Sequence, residues 1–184
     1  MKKKRKEDKN QLELFGQLPP QPVKPGEHFL VDGSNVMGVR GKSQPPSLKT
    51  LLHLLIELKE NSHDFTCIID ANARFTLLRF AGQPDQEVYI RFLEKYSSRF
   101  TESTGGMRAD DLLLQRADRL RQRIISNDRF SAYVNKYTWL RNPDARLIKF
   151  QMVNKDLQIP ALEIIVSCDG ELKTLISKLE SLLT

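Results

Sequence analysis

The chain has 184 residues, 29 of them Lys or Arg and 23 Asp or Glu, for a net charge of +6; that length suits one ordinary domain with a tail. No apolar run approaches the roughly 20 residues of a membrane span, and the N-terminus carries no apolar leader, so a cytoplasmic protein without membrane attachment is expected. Two cysteines, Cys67 and Cys168, and three scattered histidines, His28, His53 and His63, argue against a disulfide framework and against a structural zinc site.

Residues 1–26 read as an unstructured tail. Six Lys/Arg stand against Glu7 and Asp8 in residues 1–10, and QLPPQPVKPG follows. That arm holds most of the net charge and suits a polyanion such as nucleic acid, unless it is merely a solvated terminus. Residues 27–184 read as the folded domain. His28 to Val31 predicts a first buried strand, followed by the polar loop GVRGKSQPP. Ser47 predicts the cap of a helix with apolar residues at Leu48, Leu51, Leu52, Leu55, Ile56 and Leu58. Phe65 to Ile69 predicts a second strand, with helices from Phe75 and from about Asp85 to Tyr96. A weak strand at Arg99 to Thr101, a loop at TGGMR and a helix at Ala109 to Arg121 come next. Arg123 to Ser126 predicts a fourth strand and Phe130 to Leu140 a helix. Arg146 to Val153 alternates as a fifth strand or one arm of a hairpin. Short strands at Asp156 to Ile159 and Leu162 to Val166 precede a last amphipathic helix, Asp169 to Leu183. This alternation predicts an α/β fold, a mainly parallel sheet of about five strands flanked by helices.

Aspartates stand where the hydrophobic runs stop: Asp32, Asp70, Asp110 with Asp111, and Asp128. Strand ends in a parallel sheet gather along one edge, where such sheets bind ligands. Carboxylates gathered there repel unless a cation lies among them. Hard divalent ions, Mg²⁺ or Mn²⁺, take such oxygen ligands and hold phosphates, so a metal-dependent enzyme acting on phosphodiesters is expected. Aspartate is also a favoured helix cap, and the two roles are compatible.

VDGSNV at 31–36, TGGMRADD at 104–111, SNDRF at 126–130 and the stretch from Trp139 through FQMVNKDLQIP resemble the NYN/PIN-like ribonucleases, in particular the Regnase-type endoribonuclease branch. The resemblance spans about residues 28–160 and has the look of a bacterial member without a zinc finger. It implies a PIN-like three-layer fold and Mg²⁺-dependent endonucleolytic cleavage of single-stranded RNA. Asp32, Asp110, Asp111 and Asp128 match the family's acids and are the expected catalytic residues, with Asp32, Asp111 and Asp128 as metal ligands. Asp110 would orient a water or cap its helix. A further family acid, four residues after Asp128, falls on Ala132.

Asn35 is expected to position a carboxylate, contact substrate or form a structural Asx turn. Arg108 would clamp a phosphate, with Arg40, Lys42 and Arg74 in loops on the same edge. Arg116, Arg119, Arg121 and Arg123 read as a solvated helix face, Asp70 as a turn former with Asn72, and Tyr133, Tyr137 and Trp139 as packing or base-stacking residues. Ser34 occupies the place where an aspartate-nucleophile phosphatase carries its second acid, which disfavours that class. Two rival functions stay open: a nucleic-acid-binding module that has lost cleavage, prompted by Ala132, and a nuclease acting on DNA. The DNA nuclease gains interest from Gln11, Leu12, Leu14 and Phe15 within QLELF, which resembles the motif by which bacterial proteins bind the DNA-polymerase sliding clamp.

Overall fold

In the computed structural model the central strand β1, His28–Asp32, lies between β2, Asp64–Ile69, and β4, Ile124–Ile125. Residues 22–39, 45–104 and 106–184 are described; the basic arm, the QLELF segment, Arg40 and Lys42 lie outside them. With β3, Phe100–Glu102, and β5, Leu147–Ile148, the sheet has the order β3-β2-β1-β4-β5. Every neighbouring pair in it is parallel. The near-continuous apolar runs FLV, TCII and II explain this, because a parallel sheet is buried on both faces.

Side chains alternate across the two faces. Phe29, Val31, Phe65, Cys67 and Ile69 join one core cluster, while Leu30, Ile68 and Ile124 join the other. The first cluster takes in α2, Leu48–Glu60, α4, Gln83–Lys95, and α6, Leu172–Leu183. Ser47 caps α2 as expected, its hydroxyl accepting the Thr50 N–H at 3.3 Å. The opposite cluster is covered by α5, Ala109–Leu120, through Leu113, Leu114 and Ala117. Two shorter helices, α1 at Gly33–Met37 and α3 at Ala73–Phe80, begin at or just beyond the C-terminal ends of β1 and β2. No helix among the described residues is long and apolar enough to cross a membrane.

Two elements differ from the sequence expectation. Residues 130–140 form 3₁₀ turns at Ser131–Tyr133 and Thr138–Arg141 rather than one helix. The Asp128 carboxylate captures the Phe130 N–H at 2.6 Å, and Phe130 sits in the left-handed region at φ 49° with its ring buried. That local capture competes with helix formation. Residues 146–153 divide between two sheets: β5 joins the parallel sheet, while β6, Gln151–Val153, opens an antiparallel sheet with β7, Asp156–Ile159, and β8, Ile164–Ser167. The break falls at Phe150, whose N–H goes to Asn127 Oδ1 at 3.1 Å.

Gly33, directly after Asp32, admits no side chain. A Cβ there would lie 2.7 Å from both Cys67 Sγ and Ile69 Cγ1. Gly33→Ala should therefore lower the unfolding free energy by about 1–3 kcal/mol through overpacking, read from urea unfolding. An unchanged midpoint would mean that Cys67 and Ile69 move aside without cost.

Candidate active site

The parallel register brings the ends of β1, β4 and the start of α5 to one edge. Asp32 terminates β1 and caps α1, its Oδ1 accepting the Asn35 N–H at 3.1 Å. Its Oδ2 accepts the Ser126 hydroxyl at 2.8 Å, a bond that crosses from β1 to the end of β4. Only 8 % of Asp32 is exposed. Burial pushes its carboxyl up to about 6, partly countered by those two hydrogen bonds and reinforced by the charges of Asp110 and Asp128. Asp110, in the first turn of α5, is also raised, by burial first and then by Asp128 and Asp111, against the lowering influence of Arg108. Three carboxylates from three segments thus feel one another at a single edge.

The paired acids differ in their surroundings. Asp110 is the member that reaches Asp32 and Asp128 electrostatically. Asp111 lies beside the Tyr133 hydroxyl, which bonds to it, and 4.0 Å from Lys136 Nζ. Arg108 pairs with Asp110 at 2.9 Å, and its side chain is 69 % exposed, so its guanidinium faces solvent beside the acids.

Asp128 is held by its own backbone. Its N–H donates to Ser126 Oγ at 3.0 Å while its carboxylate takes Phe130 N–H. Asn35 Oδ1 accepts the Asn127 N–H at 2.8 Å, so Asn35 ties α1 to the Ser126–Asp128 turn. Lys149, just beyond β5, donates to the main-chain carbonyls of Ser126 at 3.0 Å and Asp128 at 2.8 Å. Burial lowers the Lys149 pKa. Sequence reasoning missed Lys149, because a lysine in an alternating stretch reads as a solvated face. Ser126 was visible only as part of its motif, although its fully buried hydroxyl is central to the site.

Other expected residues lie elsewhere or are engaged. Arg74 is paired with Glu102, its Nε 3.2 Å from Oε1, and Tyr89 donates to the same carboxylate at 2.8 Å. That pair fastens α3 to β3. Asp70 forms the expected turn, accepting the Asn72 N–H at 2.8 Å, while its own N–H reaches Ser34 Oγ at 2.9 Å. The arginine run divides: Arg119 and Arg121 are exposed, Arg116 is half-buried, and Arg123 is buried and paired with Glu27. Tyr137 is buried and Trp139 packs under Arg146 at 5.0 Å. Among the described residues no three acidic, histidine or cysteine side chains form a preformed metal cage.

Residues 26–163 match the family model of the Zc3h12a-like ribonuclease NYN domain. The fold is similar to that of nuclear proteinaceous RNase P 2 (PRORP2) from A. thaliana, at a TM-score of 0.59 and 17% identity over 92% of this chain and 36% of that one. A second structure, Arabidopsis thaliana nuclear protein-only RNase P 2 (PRORP2), aligns at 0.57 and 17% identity over 89% of this chain and 35% of the other. At that identity the likeness carries the fold alone, and the chain spans little more than a third of the RNase P protein. No curated protein matches the chain. The family match runs from the residue before Glu27 through all five strands of the parallel sheet and the acid-lined edge, and on that extent the chain belongs to the Zc3h12a-like ribonuclease NYN domain family.

Proposed function

We propose that this chain is a divalent-metal-dependent endoribonuclease that cleaves single-stranded RNA at the edge formed by Asp32, Asp110 and Asp128. One observation carries the reading: a carboxylate as buried as Asp32 is pushed up to about 6 and still faces two further carboxylates. Gathering like charges in a desolvated site is unfavourable unless a cation is their partner. Membership of a ribonuclease domain family supports RNA as the substrate.

The donor set fits Mg²⁺ or Mn²⁺. Every candidate ligand is a carboxylate oxygen, and Asp32, Asp110 and Asp128 would hold the ion. Mg²⁺ keeps several waters and binds through one or two carboxylates plus substrate phosphate. When bound, such an ion activates a water and offsets charge on the phosphate. The chain's own residues supply position: Ser126 and Asn35 orient Asp32 and the following turn, Lys149 clips that turn, and Arg108 offers a planar fork to a phosphate oxygen. One observation favours a second reading, a binding module that does not cleave. Ala132 is exposed in the Ser131–Tyr133 turn and contributes no oxygen where the family carries an acid.

Three outcomes test this. Chelation should abolish cleavage of labelled single-stranded RNA and Mg²⁺ should restore it, while Asp32→Asn lowers the rate by orders of magnitude. In chelator the same variant should be more stable than wild type at pH 7, by on the order of 3 kcal/mol. Wild-type Asp32 must ionise against a native pKa of about 6, whereas its ordinary value is 3.8. The advantage should shrink as the pH falls from about 6 to below about 4, where the carboxyl is protonated in both folded and unfolded chains. A variant less stable than wild type across that range would remove the buried-charge argument.

The paired acids should also separate. Asp110→Asn should weaken Mn²⁺ binding, measured by calorimetry, more than Asp111→Asn does; the reverse order would return the ligand role to Asp111. Finally, Lys149→Met should lower kcat by about one to two orders of magnitude through displacement of Asp128, with the KM for RNA little changed. A raised KM at constant kcat would show instead that Lys149 contacts the substrate.

A further inference from the structure

We infer that α3 is a stacking platform for the unpaired RNA flanking the cleaved bond, with Phe75 as its ring and Arg79 as its phosphate-facing cation. The inference rests on the ribonuclease reading above and adds the surface that would hold the substrate strand.

Cleaving a single strand calls for somewhere to place its bases, and aromatic rings beside cations are the usual means. The aromatic residues near the acids do not serve. Tyr137 is buried, Trp139 lies under Arg146, and the Tyr133 ring lies under Arg108, 5.8 Å from its guanidinium carbon. Open rings are found on α3 instead, where Phe75 is 65% exposed and Phe80 54%, with Leu78 at 46%. Seven large hydrophobic residues are exposed among those described, and three of them fall in this helix of eight. Single exposed apolar residues are ordinary, but three within about two turns are not.

Position and charge select the occupant. The helix starts at the Asp70–Asn72 turn, beyond the end of β2, the strand paired with β1 in the register Asp32↔Ile68. Ser34, two residues after Asp32, accepts the Asp70 N–H at 2.9 Å. A cavity of about 130 Å³ lined by Ser34, Asp70, Asn72 and Thr76 joins that turn to the helix. The first turn of α3, which carries Phe75, therefore adjoins the catalytic edge.

Phe75, Leu78 and Arg79 share one face by their i, i+3 and i+4 spacing. The sequence ARFTLLRF holds two arginines and no acid. Arg74 is engaged by Glu102, while Arg79 has no acidic partner among the described residues and lies 5.2 Å from the Phe80 ring centroid. An apolar aromatic face with an uncompensated cation and no acid complements a base and its phosphate. A paired duplex offers no such base face.

Binding of a fluorescent oligouridylate and of a fully paired RNA duplex, measured by anisotropy with the full chain in chelator, tests this apart from cleavage. Phe75→Ala should weaken the single strand about tenfold or more, with the duplex and the salt slope unchanged, and Phe75→Trp should restore binding. Arg79→Ala should reduce the salt slope by about one. The exposed position of Phe75 means that the Ala variant should unfold at the wild-type temperature. Equal binding by Phe75→Ala and wild type overturns the platform, as does an equal loss on the duplex. Conversion of a wild-type dimer to a monomer by Phe75→Ala, with RNA affinity unchanged, overturns it in favour of self-association. If Phe75 controls single-strand affinity but Mg²⁺ produces no cleavage, the nuclease reading fails and the platform stands.

Discussion

The Ser126 hydroxyl is the hinge of the acid-lined edge. It donates to Asp32 at the end of β1 and accepts the Asp128 N–H, so one buried oxygen sets the relation between two acids 96 positions apart. Around it, Asn35 binds the Asn127 N–H and Lys149 holds the carbonyls of Ser126 and Asp128. Each bond joins a different segment to the same turn. A buried polar network of this kind specifies one arrangement when its members are satisfied and becomes costly when one is lost. The pairing of β1 with β4 is its precondition, since a shift of one residue would turn Asp32 to the other face.

The edge carries charge where the fold would be better without it. Asp32 is surrounded by the central sheet, and burial acts on its carboxyl more strongly than the two hydrogen bonds that favour ionisation. Nothing in the packing of Phe29, Leu30 and Val31 requires an acid at the next position. Such destabilisation is common where function opposes stability. Elsewhere the chain places charge favourably. Asp64 is held below the ordinary range: burial would raise it, but Arg99 and Lys59 together outweigh that.

Ala132 and Lys149 belong to the same local problem. Where the family pattern carries an additional acid this chain has a methyl group, exposed in a 3₁₀ turn. Lys149, bonded to the motif's main chain, enters from just beyond β5, the strand next to β4. Fewer carboxylates and a nearby ammonium together reduce the negative charge to be neutralised.

Most strands and the placement of the acids were legible in the sequence, because the signals are local: unbroken apolar runs for a doubly buried sheet, an aspartate at the end of each run, and Ser47 before an amphipathic stripe. The GSN and SND tripeptides were legible for the same reason, since their turn chemistry lies within a few residues. Other features were decided by partners distant in the chain. Arg74 reads as a loop cation until Glu102, 28 residues on, takes hold of it. Asp110 and Asp111 are adjacent and indistinguishable by composition; the phase of α5 against β1 turns one toward Asp32 and leaves the other beside Tyr133. The expected helix at 130–140 failed because the Asp128 side chain captured Phe130 N–H before a helical turn could. Lys149 and the open face of α3 had no local signal. Sequence periodicity says which residues are buried, whereas tertiary packing alone says which polar group meets which.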